Sequence, residues 1–410
     1  MCKNYIILHI KKCNMEQLLD KSAKLVQRVS LGKQRSLSTE IDWKNRLIGI
    51  KGSRGTGKTT LLLQQLKKLA LPPHQAAYWS LDDFYFTSNT LVEMAEQFHR
   101  EGGTHLFLDE VHKYENWSQH IKNLYDFYPN LQIVFTGSSI IEISREEGDL
   151  SRRMVMYRLF GLSFREYLAF HDLFDLQPLS LQEIISEKRP WANSFPDTFR
   201  PLVHFKDYLQ YGYYPFYLED KDGYGSRLQQ LVRFIVEYDM AEIKGFDIRN
   251  AKKMLQLLSV VASNVPFQPN ISSIANKSKI HRNSVVLYLH YLEQAELIKL
   301  LYPSGISIAT LQKPEKIYLD NPNLAFALTS TTPNIGNSRE TFFLSQVSVR
   351  HKVAYPKKGD FLVDEKFTFE VGGKDKGIKQ IKDIKNSFVV ADNTEFPVTK
   401  LPLWLFGFLY

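Results

Sequence analysis

Cysteine is nearly missing from this chain: two residues in 410, Cys2 and Cys13. Two thiols near one end exclude a disulfide framework and a four-ligand zinc knuckle, and a reducing, cytoplasmic setting is expected. No hydrophobic run approaches the roughly 20 residues that cross a bilayer. The opening Tyr5-Ile-Ile-Leu-His-Ile10 is too short and has no cleavage signal, so no membrane partner is expected. Internal repeats and low-complexity linkers are absent as well. Charge of one sign does not dominate: 52 Lys and Arg against 44 Asp and Glu leave +8. That mild basic balance suits a nucleic-acid partner and suits plain solubility equally. What the chain has in quantity is aromatic residues, 27 Phe and 21 Tyr, which a disordered chain would not carry. Its length suggests two to four packed domains at about 150 residues each.

Met15 opens a better amphipathic helix than anything before it, so residues 1–14 read as a leader, disordered or upstream of the true start. From there the pattern alternates. Apolar runs at Arg46–Lys51, Ala76–Leu81, His105–Glu110 and Gln132–Gly137 read as strands, and 59–68, 91–99 and 121–128 read as helices. Short strands alternating with helices predict an α/β fold with a parallel sheet over residues 15–170. Beyond it the sequence reads as a helical extension over 171–245, a helix-turn-helix region over 246–330 and a mixed α/β tail over 331–410.

Gly52-Ser-Arg-Gly-Thr-Gly-Lys-Thr59 satisfies the phosphate-loop pattern G-x-x-x-x-G-K-[ST] at every fixed position. Glycines let successive backbone N–H groups wrap phosphates, and the helix that follows adds free amides at its N-terminus. Gly52, Ser53, Arg54, Gly55, Thr56, Gly57, Lys58, Thr59 and Thr60 are therefore the nucleotide-binding candidates, with Lys58 set against the β- and γ-phosphates. Thr59 offers a hydroxyl to Mg²⁺ and Asp109, at the end of an apolar strand, a carboxylate. Glu110 is placed to deprotonate the attacking water. Ser138, in Thr136-Gly-Ser-Ser139, is the candidate for contact with the γ-phosphate. Arg152 and Arg153 are arginine-finger candidates, and a finger of that kind requires a homo-oligomer.

This loop, Leu106-Phe-Leu-Asp-Glu110 with Val111–Trp117, the Thr-Gly-Ser-Ser strand and Gly161-Leu-Ser-Phe-Arg-Glu-Tyr-Leu168 together resemble prokaryotic AAA-type ATPases (AAA_14) that carry a DUF4143 C-terminal region. The resemblance continues through Tyr211-Gly-Tyr-Tyr-Pro215 and the last hundred residues. It implies ATP as the nucleotide and a P-loop ATPase followed by a winged helix and a nuclease-like domain.

Asn270–Lys277 followed by Arg282–Gln294 reads as helix, turn, helix, with Ala251–Val265 before it and a wing from Leu297–Leu301 and Lys316–Leu319. The second helix leads with Lys279, His281, Arg282, Asn283 and Ser284, of which Lys279, Arg282 and Asn283 are the DNA-contact candidates. The tail reads as αβββαβ, the order of a restriction-endonuclease-like core, its second helix a lysine-rich one over Lys374–Lys385 with Ile378, Ile381 and Ile384 inward. Glu340, Asp360 or Asp364, and Glu370 stand where that family places its metal-binding acids. Gly372 occupies the place of the essential lysine, with Lys374 beyond it, so a decayed site is expected. On sequence alone a DNA- or protein-client ATPase, a nucleotide-switched DNA regulator and an ATP-gated nuclease remain as alternatives.

Overall fold

In a computed structural model the structure describes residues 2–138, 150–196, 198–242, 246–263, 274–276, 280–305, 314–329, 333, 335–373, 376–395 and 399–410. The chain divides into two compact units, 1–160 and 161–410.

The first unit opens with helix α1 (Cys2–Arg28), which takes in most of the segment expected as a leader. Then β1 (Leu47–Gly52), α2 (Lys58–Leu69), β2 (Ala76–Ser80), α3 (Leu91–Arg100), β3 (His105–Asp109), α4 (Trp117–Phe127), β4 (Gln132–Ser138) and β5 (Val155–Arg158) follow. The five strands form one parallel sheet in the order β2-β3-β4-β1-β5. Strict alternation sorts their side chains. Leu106 and Leu108 of β3, with Ile133 and Phe135 of β4, join Trp79, Phe98 and Trp117 on one face. Phe107 and Val134 join Ile48, Ile50, Leu62 and Leu66 on the other. A sheet buried on both faces explains why these strands read as continuous apolar runs. Each such side chain contributes about 1.5–3 kcal/mol of burial. The carboxyl ends of β1, β3 and β4 lie side by side, so the loop after Gly52, the acids after Leu108 and Ser138 reach one edge.

The second unit begins with α5 (Phe164–Phe170), α6 (Leu181–Ile185), α7 (Pro201–Tyr211) and α8 (Tyr224–Phe234). Ser163 and Glu166 form a reciprocal capping box at the start of α5. Arg165 donates to the carbonyls of Tyr410 and Leu176, and a Cβ on Gly161 would lie 2.3 Å from the Tyr213 ring. The Gly161–Leu168 motif is therefore a packing motif. So is Tyr211–Pro215: the Asn323 side-chain oxygen accepts from the Tyr213 amide and the Tyr224 hydroxyl, and its nitrogen donates to the carbonyls of Tyr208 and Leu209.

Then come α9 (Ala251–Ala262), α10 (Arg282–Gln294) and an antiparallel hairpin of β6 (Ile298–Leu301) and β7 (Lys316–Leu319). Val285, Leu289, Leu292 and Leu297 are buried, as the sequence requires of a packed helix pair. Most of the helix expected over 270–277 lies outside the described residues.

After α11 (Pro322–Leu328), the tail holds α12 (Ile335–Val347) and a mixed sheet. Its strands are β8 (Val353–Ala354), β9 (Phe361–Val363), β10 (Phe367–Gly372), β11 (Ser387–Ala391) and β12 (Leu401–Pro402), in the order β12-β11-β10-β9-β8. The lysine-rich helix expected over 374–385 is not formed: among the described residues there is a single 3₁₀ turn at Ile378–Gln380. Gly377 removes helix propensity at its start, and Ile378 stands exposed while only Ile381 is fully buried, so no apolar stripe exists to dock a helix.

Candidate nucleotide site

The loop between β1 and α2 is shaped by glycine. Gly55 and Gly57 sit at φ 85° and 94°, a region that favours residues without a Cβ. A Cβ on Gly52 would meet the Leu159 carbonyl at 2.2 Å, so the strand can pass β5 only as glycine. Arg35 is buried and supports the loop from outside it, donating to the Thr56 carbonyl at 2.7 Å and to that of Phe160 at 2.8 Å. The Thr56 hydroxyl donates to the Ser53 carbonyl, which tightens the turn. The Lys58 ammonium lies within the loop's curve, donating to the carbonyls of Gly52 and Ser53.

Fifty residues further on, β3 delivers Asp109 to this loop. Thr59 Oγ1 donates to Asp109 Oδ2 at 2.6 Å, and Tyr78 Oη donates to the same oxygen at 2.8 Å. Thr136 Oγ1 donates to Asp109 Oδ1 and accepts from the Glu110 amide at 3.1 Å. Burial first, and then the Asp109 carboxylate, hold the Tyr78 hydroxyl far above its ordinary pKa, so it remains a donor. A hydroxyl and a carboxylate at 2.6 Å are hard oxygen donors of the type Mg²⁺ prefers, and Thr59 is on the exposed side of the loop.

Glu110 adopts φ 52°, left-handed for a residue with a side chain. Its Oε2 lies 3.9 Å from a guanidinium nitrogen of Arg54 and 3.2 Å from His112 Nε2. Ser138 is buried at the end of β4, paired in register with Gly52. Arg152 is exposed, whereas Arg153 is engaged by Asp126 at the end of α4, through Nε at 2.9 Å and a terminal nitrogen at 3.0 Å. Sequence reasoning missed Tyr78, Thr136 and His112. Tyr78 and Thr136 look like ordinary strand residues, and only register with the neighbouring strands points them at Asp109.

In the second unit the acids gather differently. Glu340 and Asp360 share Lys316, at 3.2 and 3.3 Å, and Tyr318 Oη donates to Glu340 at 2.8 Å. Glu370 pairs with Lys376 at 2.6 Å. Asp364 is not part of this group: it caps the His351–Lys352 turn, so Asp360 is the acid that joins Glu340. Lys374 lies outside the described residues, and Lys376 is the lysine that reaches Glu370. It can do so because a Cβ on Gly372 would meet its side chain at 2.5 Å. Among the described residues no three His, Cys, Asp or Glu side chains are arranged to hold a metal. Of the DNA-contact candidates, Arg282 is exposed, while Lys279 and the side chain of Asn283 lie outside the described residues.

A parallel sheet with a glycine loop on β1 and an acid pair on β3 is a P-loop NTPase fold, and residues 44–168 match the AAA_14 model, an AAA domain. The first unit thus has a P-loop NTPase fold and is similar over residues 44–168 to an AAA domain. Residues 202–334, where the resemblance to a DUF4143 region had placed the Tyr211–Pro215 turn, match a domain of unknown function, DUF8612. An uncharacterized protein of Methanocaldococcus jannaschii is 29% identical over 289 residues, which span 67% of this chain and 60% of that protein. The chain therefore covers less than two thirds of that relative's length. Similar solved structures include AMPPCP-bound DnaA from Aquifex aeolicus, 17% identical over 61% of this chain and 82% of that one, with a TM-score of 0.26. The Hsp104–ADP complex of S. cerevisiae is 18% identical over 63% of this chain and 38% of that one, with a TM-score of 0.29. Scores this low say nothing further about this chain. No helix among the described residues is long and apolar enough to cross a membrane.

Proposed function

We propose that the protein is a Mg²⁺-dependent ATPase whose hydrolysis step repositions the residues that follow the nucleotide domain. The bond from Thr59 to Asp109 carries this reading, because it joins two motifs fifty residues apart in the donor set the reaction needs. Backbone amides of Gly52–Thr60 cradle the phosphates and the Lys58 ammonium exchanges its two carbonyls for phosphate oxygens. Thr59 and Asp109 would hold the metal, which would supply positive charge against the phosphate oxygens. Glu110 accepts the proton of the attacking water, and Ser138, beside Gly52, contacts the γ-phosphate. Arg152, exposed where Arg153 is engaged, is the better finger for a neighbouring subunit. The choice of adenine follows from the AAA match.

In the same reading, α9, α10 and the β6–β7 hairpin form a winged helix, and the tail is a nuclease-like domain that no longer cleaves. Lys316 and Lys376 supply the positive charge among Glu340, Asp360 and Glu370. DNA at Lys279, Arg282 and Asn283, or a protein client, is the partner class.

Phosphate release and ATP binding by wild type, Lys58→Ala and Glu110→Gln test the core of this reading. Lys58→Ala should lose binding by about tenfold or more, and Glu110→Gln should bind ATP while turnover falls by about 10²–10⁴-fold. A Lys58→Ala protein that binds and hydrolyses ATP as well as its parent overturns it. Stimulation by duplex DNA, lost in Arg282→Ala, separates a DNA partner from a protein client.

A further inference from the structure

Val111–Lys113 make one 3₁₀ turn directly after Glu110. Within it the His112 side chain is 2% exposed, and neither ring nitrogen meets a partner in hydrogen-bonding geometry. A buried polar ring without a satisfied partner lowers stability, and a leucine of similar size would pack there without that penalty. The nearest feature that accounts for it is Glu110 Oε2, 3.2 Å from His112 Nε2. Glu110 is itself held at φ 52°, a conformation that side-chain-bearing residues adopt mostly where the surrounding structure requires it.

We infer that His112 is a positioning residue for Glu110: with its proton on Nε2, the buried ring places an N–H dipole 3.2 Å from one carboxylate oxygen, which a small turn of the Glu110 side chain brings into line, and so biases where the other is presented. The inference rests on the ATPase reading above. Desolvation first, then the charges of Lys113, Lys58 and Arg54, push the His112 pKa down to about 3. The ring is therefore neutral at physiological pH. It is no counter-ion for Glu110, and it is too weak a base to replace it. Its contribution is a dipole of fixed direction. Arg54, at 3.9 Å on the phosphate loop, supplies the charge on the same oxygen.

Steady-state ATP hydrolysis, ATPγS binding and thermal melting of the full chain test this with wild type, His112→Leu, His112→Gln, His112→Asn, Glu110→Gln and the Glu110→Gln/His112→Leu double variant. His112→Leu should melt no earlier than wild type and bind ATPγS within about twofold, while kcat falls about tenfold or more through misplacement of the carboxylate. His112→Gln retains a donor at similar reach and should recover most of that loss, whereas His112→Asn, too short, should not. The double variant should be no slower than Glu110→Gln alone, since both changes act through one group. Wild-type turnover in His112→Leu, equal slowing of Leu and Gln, or losses that multiply in the double variant would each overturn the inference. If His112→Leu fails to fold, the Asn and Gln pair decides by the same comparison. A wild type that binds ATPγS and never hydrolyses ATP instead removes the ATPase reading itself.

Discussion

Asp109 is buried with hydroxyls from Thr59, Tyr78 and Thr136 bonded to its two carboxylate oxygens. Thr136 has a second task, accepting the Glu110 amide, so one hydroxyl fixes both members of the acid pair. Replacing it with valine keeps the shape of the side chain and removes one of the two donors to Asp109 Oδ1, leaving that buried oxygen only the Glu110 amide at 3.2 Å. Thr136→Val should cost about 1–3 kcal/mol of stability in the first unit, read from urea unfolding, and Thr136→Ser should stay near wild type. Lys58, Thr59, Asp109 and Glu110 were legible in the sequence because each belongs to a pattern with fixed spacing. Tyr78 and Thr136 were not, because what makes them matter is the strand beside them (Tyr78 is in register with Phe107, two residues before Asp109, and Phe135, just before Thr136, is in register with Leu108), and no spacing along the chain encodes that.

Elements divide in the same way. Four of the five strands of the first unit, and the helices between them, were legible as apolar runs alternating with helical stretches, whereas β5, four half-exposed residues, left no such signal. The turn at Ile378–Gln380 misled because lysines and isoleucines at helical spacing imitate a stripe, while Gly377 and the missing docking surface decide against it. The apolar C-terminus, Leu401–Tyr410, reads as a buried final strand or cap, and both parts appear: Leu401–Pro402 pairs with β11, and Leu403–Phe408 is a 3₁₀ segment with every side chain buried. Phe406 packs there against Phe343 and Phe369. Phe406→Ala should destabilise the second unit by about 3–5 kcal/mol in chemical denaturation. ATP binding by the first unit should be unchanged in the same protein.

At the scale of the whole molecule, two units with separate cores predict two calorimetric transitions. A saturating non-hydrolysable ATP analogue should raise the transition of the first, by about 2.7 kcal/mol at one hundred times Kd. A single transition that shifts as one would show that the units unfold together. The ionic group of the second unit adds a pH signature. Burial opposes charge on Lys316, yet Glu340 and Asp360 prevail and raise its pKa above the ordinary 10.5. A raised lysine contributes fully below its unfolded value and loses that contribution as pH climbs through the folded one. Lys316→Met should therefore be less stable than wild type at pH 7–9, and the difference should narrow above about pH 10.5, followed by melting of the second unit.

The backbone of Glu110 has a consequence for how such a site ages. Asparagine and glycine occupy φ near 52° more readily than glutamate does, so every replacement that abolishes the carboxylate in that direction also relaxes the chain. A descendant freed from turnover has a downhill route to a sturdier protein that still grips its nucleotide. On the proposed reading only turnover holds the glutamate in place, and residue 110 becomes a one-letter gauge that comparing relatives for activity would test: an active relative without an acid there would refute it.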